Sequence, residues 1–156
     1  MAIARRIKWY LDAHELDYHL VPHSRTSTSL GSAQAAHVPE DVVAKSVLLE
    51  DELGYLIAIL PASHRIDLRA VERRLGRKLE LATEAELGTL FFDCETGAVP
   101  PLGRAYGIPT LVDDSLLHAR DVYFEAGDHK DLVHMDGASF LGLLRGSRHG
   151  SFSRHL

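Results

Sequence analysis

Cysteine is nearly absent from this chain: Cys94 is the only one among 156 residues. A single thiol closes no internal disulfide and builds no cysteine-based zinc cluster, which suits a reducing compartment. No apolar run approaches the roughly 18–20 residues that a bilayer-spanning helix needs, so no membrane partner is expected. The N-terminal MAIARRIKWYLDAHE is amphipathic and lacks the apolar core and small-residue cleavage site of a signal peptide. It reads as a first helix, and the expected location is cytoplasmic. An excess of positive charge is missing as well. A net charge of −5 and a pI near 6.0 argue against gripping long nucleic acid by bulk electrostatics, and leave room for local contact with one RNA end. The recurrent catalytic signatures GxGxxG, Walker P-loop, HExxH, GxSxG and paired CxxC do not occur.

What is there is ordinary for a globular protein: 46% hydrophobic and 25% charged residues. A chain of this length buries about two-thirds of its unfolded surface and folds without a staple. Helical spacing of Ile3, Ile7, Tyr10 and Leu11 predicts a helix over 2–14, and DYHLVPH (17–23) predicts a short strand. Ser29 or Ser32 is the expected cap of a helix over 30–37, which Pro39 closes. VVAKSVLLE (42–50) and YLIAILP (55–61), joined by DELG, form a hairpin pattern. A helix over 66–76 is bounded by Asp67 and Gly76, a strand follows at KLELA, and Thr83 with Glu86 makes a capping box for the next helix. The Gly- and Pro-rich GAVPPLGRAYGIPTLVDD is a shaped loop leading to a strand over 109–113. DVYFEAG (121–127) and DLVHM (131–135) make a second hairpin around GDHK, and Asp136 caps a last helix through Leu144. The expectation is one α+β domain over 1–145 and a polar tail over 146–156 that frays.

Three features are candidates for chemistry. Lys45 stands in the middle of an apolar strand with Val43, Val47 and Leu49 on its own pleat face. It either reaches solvent or sits at a pocket mouth, where an anionic partner such as a ligand phosphate would offset desolvation. The loop from Gly97 through Ala98, Val99, Pro100 and Pro101 is stiff; a stiff loop that presents backbone N–H groups can stabilise an oxyanion without a catalytic side chain, against the plainer reading of a structural connection. His129, after Gly127 and Asp128 at a hairpin tip, is placed to position water or a substrate hydroxyl, unless it is merely exposed. Cys94 competes as a nucleophile paired with His129, against the plainer reading of a buried small hydrophobe. His14 with His19, and His129 with His134, lack the companion ligands of a zinc site. His37, His118, His149 and His155 fall in apparent loops or the tail, where solvation is the default. Val43, Ile59 and Ala98 are candidate pocket walls.

The order VVAKSVLL, YLIAILP, a helix beginning at IDL, GAVPPLG with IPTLVDD, and a G-x-H hairpin resembles the YbaK/prolyl-tRNA synthetase-associated editing domain family, over about residues 5–144. The resemblance implies a mixed, β-barrel-like sheet of six or seven strands surrounded by helices. It implies hydrolysis, in trans, of the ester bond of mischarged tRNA; the histidine pattern adds the expectation of a site with no metal or cofactor. Lys45, Gly97 and His129 fall on the family's catalytic positions. Lys45, Ala98, Val99, Pro100, Pro101 and Gly127 fall on its substrate-binding ones. The partners implied are the 3′ acceptor end of mischarged tRNA and, transiently, an aminoacyl-tRNA synthetase. Pro100 stands where some members carry serine, which bears on subgroup and amino-acid preference. The alternative is a non-catalytic tRNA- or nucleotide-binding accessory module.

Overall fold

The computed structural model describes residues 3–95 and 98–156. Among these residues, five α-helices accompany ten strands. In chain order they are α1 (Arg5–Ala13), β1 (His19–Pro22), α2 (Ser29–Ala35), β2 (Val43–Asp51), β3 (Gly54–Pro61), β4 (His64–Ile66), α3 (Leu68–Leu75) and β5 (Glu80–Leu81). Then follow α4 (Glu84–Leu90), β6 (Thr110–Asp113), β7 (Asp121–Glu125), β8 (Asp131–Asp136), α5 (Gly137–Leu143), β9 (Arg148–Gly150) and β10 (Ser153–His155).

Local chemistry sets the helix ends. Asp67 accepts the Ala70 N–H at the start of α3, and Gly76 ends that helix in the left-handed conformation at φ +66°. Thr83 and Glu86 form the reciprocal capping box of α4, and Asp136 caps α5 through the Ser139 N–H. The cap of α2 is Thr28, whose hydroxyl accepts from the Gly31 N–H; neither Ser29 nor Ser32 holds that place. Ser32 instead lies fully buried one turn further on.

The main sheet runs β1-β8-β7-β2-β3-β6-β9, with β5 added beside β2, while β10 and β4 make a separate pair. The β2–β7, β3–β6 and β6–β9 pairs are parallel and the others antiparallel. The α+β class and the mixed sheet are as expected. The sheet is open, with β1 and β9 at its two ends, so it does not close into a barrel. It has eight strands rather than six or seven, because β9 joins its edge; β9, like the separate β4 and β10, is only three residues long. Segments that short carry no periodic signal.

Both faces of the sheet are covered. Ala44 and Leu48 of β2, with Ile57 and Ile59 of β3, point into the largest core, where α1 packs Ile7 and Leu11 and α5 packs Phe140. The alternate side chains meet the opposite layer. Leu49, Leu56, Ala58 and Leu60 pack with Val71 of α3 and Phe152, while Val43 and Ala62 pack with Ala33 of α2. Each fully buried Leu, Ile or Phe stabilises by roughly 1.5–3 kcal/mol, so the two-sided burial of β2 and β3 is the main energetic commitment of the fold.

The tail expected to fray is structured. Arg148–Gly150 pairs in parallel with β6, Ser153–His155 pairs with β4, and Phe152 between them is 1% exposed. The Phe152 N–H donates to Asp113 and its carbonyl accepts from the Asp67 N–H, so this one residue ties α3 to β6. His149 and His155 therefore lie on ordered strands, β9 and β10, rather than in a frayed tail; both stay exposed, as expected, beside Asp114 and Asp41.

One ion pair braces the β2–β3 turn. Arg77 reaches Asp51 through two 2.6 Å hydrogen bonds, the fork geometry of the strongest guanidinium–carboxylate pairs. That hydrogen bonding lowers the Asp51 carboxyl from its ordinary 3.8 to about 2. A carboxyl depressed by folding contributes stability that is complete above its unfolded pKa and lost as pH falls through the folded one. In thermal melts at stepped pH, the advantage of the parent over Arg77→Ala should be full above about pH 4 and vanish towards pH 2.

Candidate functional site

The tip of the β7–β8 hairpin organises the candidate site. Asp128 Oδ1 accepts from the N–H groups of Lys130 and Asp131, each at 3.0 Å, which folds the tip back on itself. Gly127 takes φ +110° and His129 takes φ +59°. A Cβ on Gly127 would lie 2.8 Å from the Ala4 Cβ and 3.3 Å from the Cys94 Sγ, so glycine is required there by space as well as by conformation. His129, placed by sequence reasoning at an exposed tip or in a pocket, is only 6% exposed.

Two other segments are stitched to this tip by backbone hydrogen bonds. The Glu95 N–H donates to the Gly127 carbonyl at 2.8 Å, and the Thr26 N–H donates to the His129 carbonyl at 3.3 Å. An open cleft of about 800 Å³ lies where they meet, lined by Arg25, Thr26, Ser27, Cys94, Glu95 and His129. Arg25 and Glu95 pair across it at 2.7 Å.

A buried polar chain supports the cleft from behind. Thr26 Oγ1 lies 2.6 Å from Ser32 Oγ, and the Ser32 hydroxyl donates to Glu125 Oε1 at 2.6 Å. Glu125 is 4% exposed, and burial raises its carboxyl above the usual range against the opposing pull of the Ser32 hydrogen bond. Its second oxygen is buried with no hydrogen-bond partner among the described residues.

The remaining site residues named from the sequence divide as follows. Gly97 lies outside the described residues. Ala98, Pro100 and Pro101 are buried and Val99 is half-buried against the largest core. The Ala98 N–H donates to the Glu95 carbonyl at 3.0 Å, and the two prolines have no N–H. Val99 therefore carries the one described N–H of this loop that neither constraint removes.

Lys45 lies on the face of β2 that Val43, Val47 and Leu49 share, between the α2 and α3 layers. Its ammonium donates to the His64 carbonyl at 2.5 Å and reaches the Ala62 carbonyl at 3.5 Å, and burial lowers its pKa. Lys45 is not among the residues lining the cleft. Its strand nevertheless runs parallel to β7, with Val43 opposite Tyr123 and Ala44 opposite Phe124, one residue short of Glu125. Ile59 is paired with Ser46 and faces the largest core, on the other side of the sheet from Val43, so those two cannot wall one pocket. His129 and His134 do not face each other: Tyr123 is opposite His134 and stacks on it at 4.3 Å.

Cys94 and His129 do share the cleft, but the thiol is turned elsewhere. Its sulfur lies 3.4 Å from Tyr106 Oη and 3.6 Å from Asp93 Oδ1, and burial pushes its pKa up to about 12. A thiol so raised is protonated near neutrality and is a poor nucleophile.

Sequence reasoning missed Arg25, Thr26, Ser27 and Glu95, and the Ser32–Glu125 pair. SRTSTS was read only as a source of helix caps. In DVYFEAG, alternation assigns Glu125 to an outward face, and only the docking of α2 over that face turns it into the interior.

Residues 23–143 match the family pattern described as aminoacyl-tRNA editing domain. A solved structure described as a candidate trans-editing enzyme for prolyl tRNA synthetase superposes with a TM-score of 0.81 at 27% identity, covering 97% of this chain and 96% of the other. A hypothetical protein gives 0.83 at 22% identity over 96% of this chain and all of its own. A candidate signal transduction protein from Marinobacter aquaeolei VT8 gives 0.78 at 22% identity, with 95% of this chain lying on 30% of the larger one. No curated protein matches this chain.

Proposed function

This chain belongs to the aminoacyl-tRNA editing domain family, and on that premise we propose that it is an aminoacyl-tRNA deacylase that hydrolyses the ester of mischarged tRNA in trans, in the cytoplasm. The observation that carries the proposal is the convergence of Arg25–Ser27, Cys94–Glu95 and His129 on one open cleft, with the Ala98 N–H bonded back to the Glu95 carbonyl. The trans-editing neighbour supports a tRNA charged by prolyl-tRNA synthetase as the substrate, with transient contact to that synthetase.

An aminoacyl ester is already activated, so no covalent enzyme intermediate is required. The protein must hold the carbonyl, orient a water and stabilise the tetrahedral oxyanion. Of the loop's groups, Gly97 and Val99 are the N–H donors for that oxyanion. His129, fixed in the cleft wall by its backbone, orients the water or the ribose hydroxyl of the terminal nucleotide. Lys45 supplies a cation for the terminal phosphate or ribose: its ammonium has three N–H donors, and two carbonyls take two of them.

The direct test incubates the protein with tRNAs charged with each small amino acid and measures free amino acid. Turnover on at least one mischarged tRNA is expected, and Cys94→Ala should retain the parent rate because no thiolate takes part. Retention of charged tRNA without release would instead identify a binding module, and loss of activity in Cys94→Ala would reinstate the thiol mechanism.

A further inference from the structure

Away from the cleft, β10 lies antiparallel to β4 with His155 directly opposite His64, so the two rings meet on one face with centroids 5.2 Å apart. Asp41, in the short 3-10 turn before β2, reaches the same place. The Ser63 hydroxyl donates to its carboxylate, and the Ser63 carbonyl accepts the Leu156 N–H, which holds the end of β10 in position. One ligand atom from each of Asp41, His64 and His155 lies within 4.8 Å of the other two.

The tautomers make this more than proximity. His155 Nδ1 lies 3.1 Å from the Leu156 carbonyl, which only accepts, so Nδ1 carries the proton. In a neutral ring this leaves His155 Nε2 with a lone pair, 3.4 Å from Asp41 Oδ1, which also only accepts. Two acceptors at that distance call for a positive centre between them: a second ring proton or a metal ion. His64 Nδ1 lies 2.8 Å from the Ser153 hydroxyl, which can accept its proton, and in that tautomer Nε2 is left for a ligand. An outer hydrogen bond to each non-ligating ring nitrogen is how metal-binding histidines are oriented. The 3.4 Å separation also suits tetrahedral coordination, whose edge is about 3.3 Å for bonds of roughly 2.0–2.1 Å.

We propose that Asp41, His64 and His155 form a site for a divalent transition metal of the zinc class, with two imidazole nitrogens and one carboxylate oxygen as ligands and water completing the shell. The site joins three parts of the chain, the turn before β2, β4 and β10. It also grips the residue whose carbonyl holds the Lys45 ammonium. The expectation of a metal-free ester hydrolysis is untouched, since this cluster is separate from the cleft residues.

The test uses chelator-treated, untagged, full-length protein titrated with Co(II), then with Zn(II) in competition. One equivalent should bind, giving the visible absorption of four-coordinate Co(II), which Zn(II) then abolishes. His155→Ala and Asp41→Asn should each weaken binding at least about tenfold. His149→Ala, whose ring pairs with Asp114, should leave it unchanged. His155 and Asp41 are exposed, so both variants should keep the parent circular dichroism spectrum. If His155→Ala melts early without metal, His155→Gln, which fills the same space, provides the comparison. Absence of stoichiometric binding, or binding unaffected by both ligand variants, overturns the proposal. No tRNA enters the experiment, so its failure leaves the proposed deacylation standing.

Discussion

Replacing Lys45 with alanine should lower deacylation of the preferred mischarged tRNA by about a hundredfold or more while the protein still folds, since positioned electrostatic contacts of this kind are worth roughly 3–4 kcal/mol. The fold should survive because the substitution removes a half-buried charge whose pKa is already lowered by desolvation. The His64 carbonyl loses its close partner, at about 1 kcal/mol. That loss and the relief of desolvation oppose each other, so melting temperature should move little. Lys45→Met is the sharper comparison, because it keeps the packing of the stem against the apolar face and deletes only the ammonium. Single-turnover hydrolysis at saturating and limiting protein separates grip from chemistry. A lysine that holds the terminal phosphate weakens binding more than the bound rate, whereas one that assists the oxyanion lowers the bound rate itself. Parent-like hydrolysis by both variants would remove Lys45 from the mechanism.

Phe152→Ala should destabilise the protein by about 3–5 kcal/mol in denaturant unfolding, a loss typical of a large aromatic removed from a closed core. The ring is 1% exposed and packs in the same layer as Leu49, Leu60, Val71 and Leu111. The expectation is specific to an ordered C-terminus. If this segment were a frayed appendage, the substitution would lie within the ±0.5 kcal/mol of ordinary surface changes. Ser151→Ala, at an exposed neighbouring position, is the control for chain-end effects.

These two residues show where the sequence was readable and where it was not. Lys45 was legible because period-two alternation across VVAKSVLLE is a local property, and the structure places Val43, Val47 and Leu49 on the lysine's side of the strand. The ends of α3, α4 and α5 were legible for the same reason, each cap lying within four residues of the group it satisfies. Phe152 was not. Its surroundings, GSRHGSFSRHL, are polar and rich in glycine and serine, and the strands on either side exist only because β6 and β4, tens of residues earlier, offer open edges. Glu125 was hidden by a similar cause, since nothing in DVYFEAG records that α2 will cover that face. At the site, Gly127 and His129 were found from a short motif. Their neighbours Thr26 and Glu95 reach them through main-chain hydrogen bonds that record no side-chain identity, and Arg25 arrives through its ion pair with Glu95.

The pairing of β6 with β9 has a consequence for synthesis. Among the described strands, β6 binds β3 on one side and β9 on the other, and β9 begins only at Arg148. While the chain emerges from the ribosome, β6 therefore presents a bare row of backbone donors and acceptors, next to the space that Phe152 fills, until Arg148 and the residues after it have emerged. An exposed strand edge beside apolar surface is what captures neighbouring chains. A nascent chain halted just before Arg148 would then be the species most prone to clump, although it already contains every residue of the cleft.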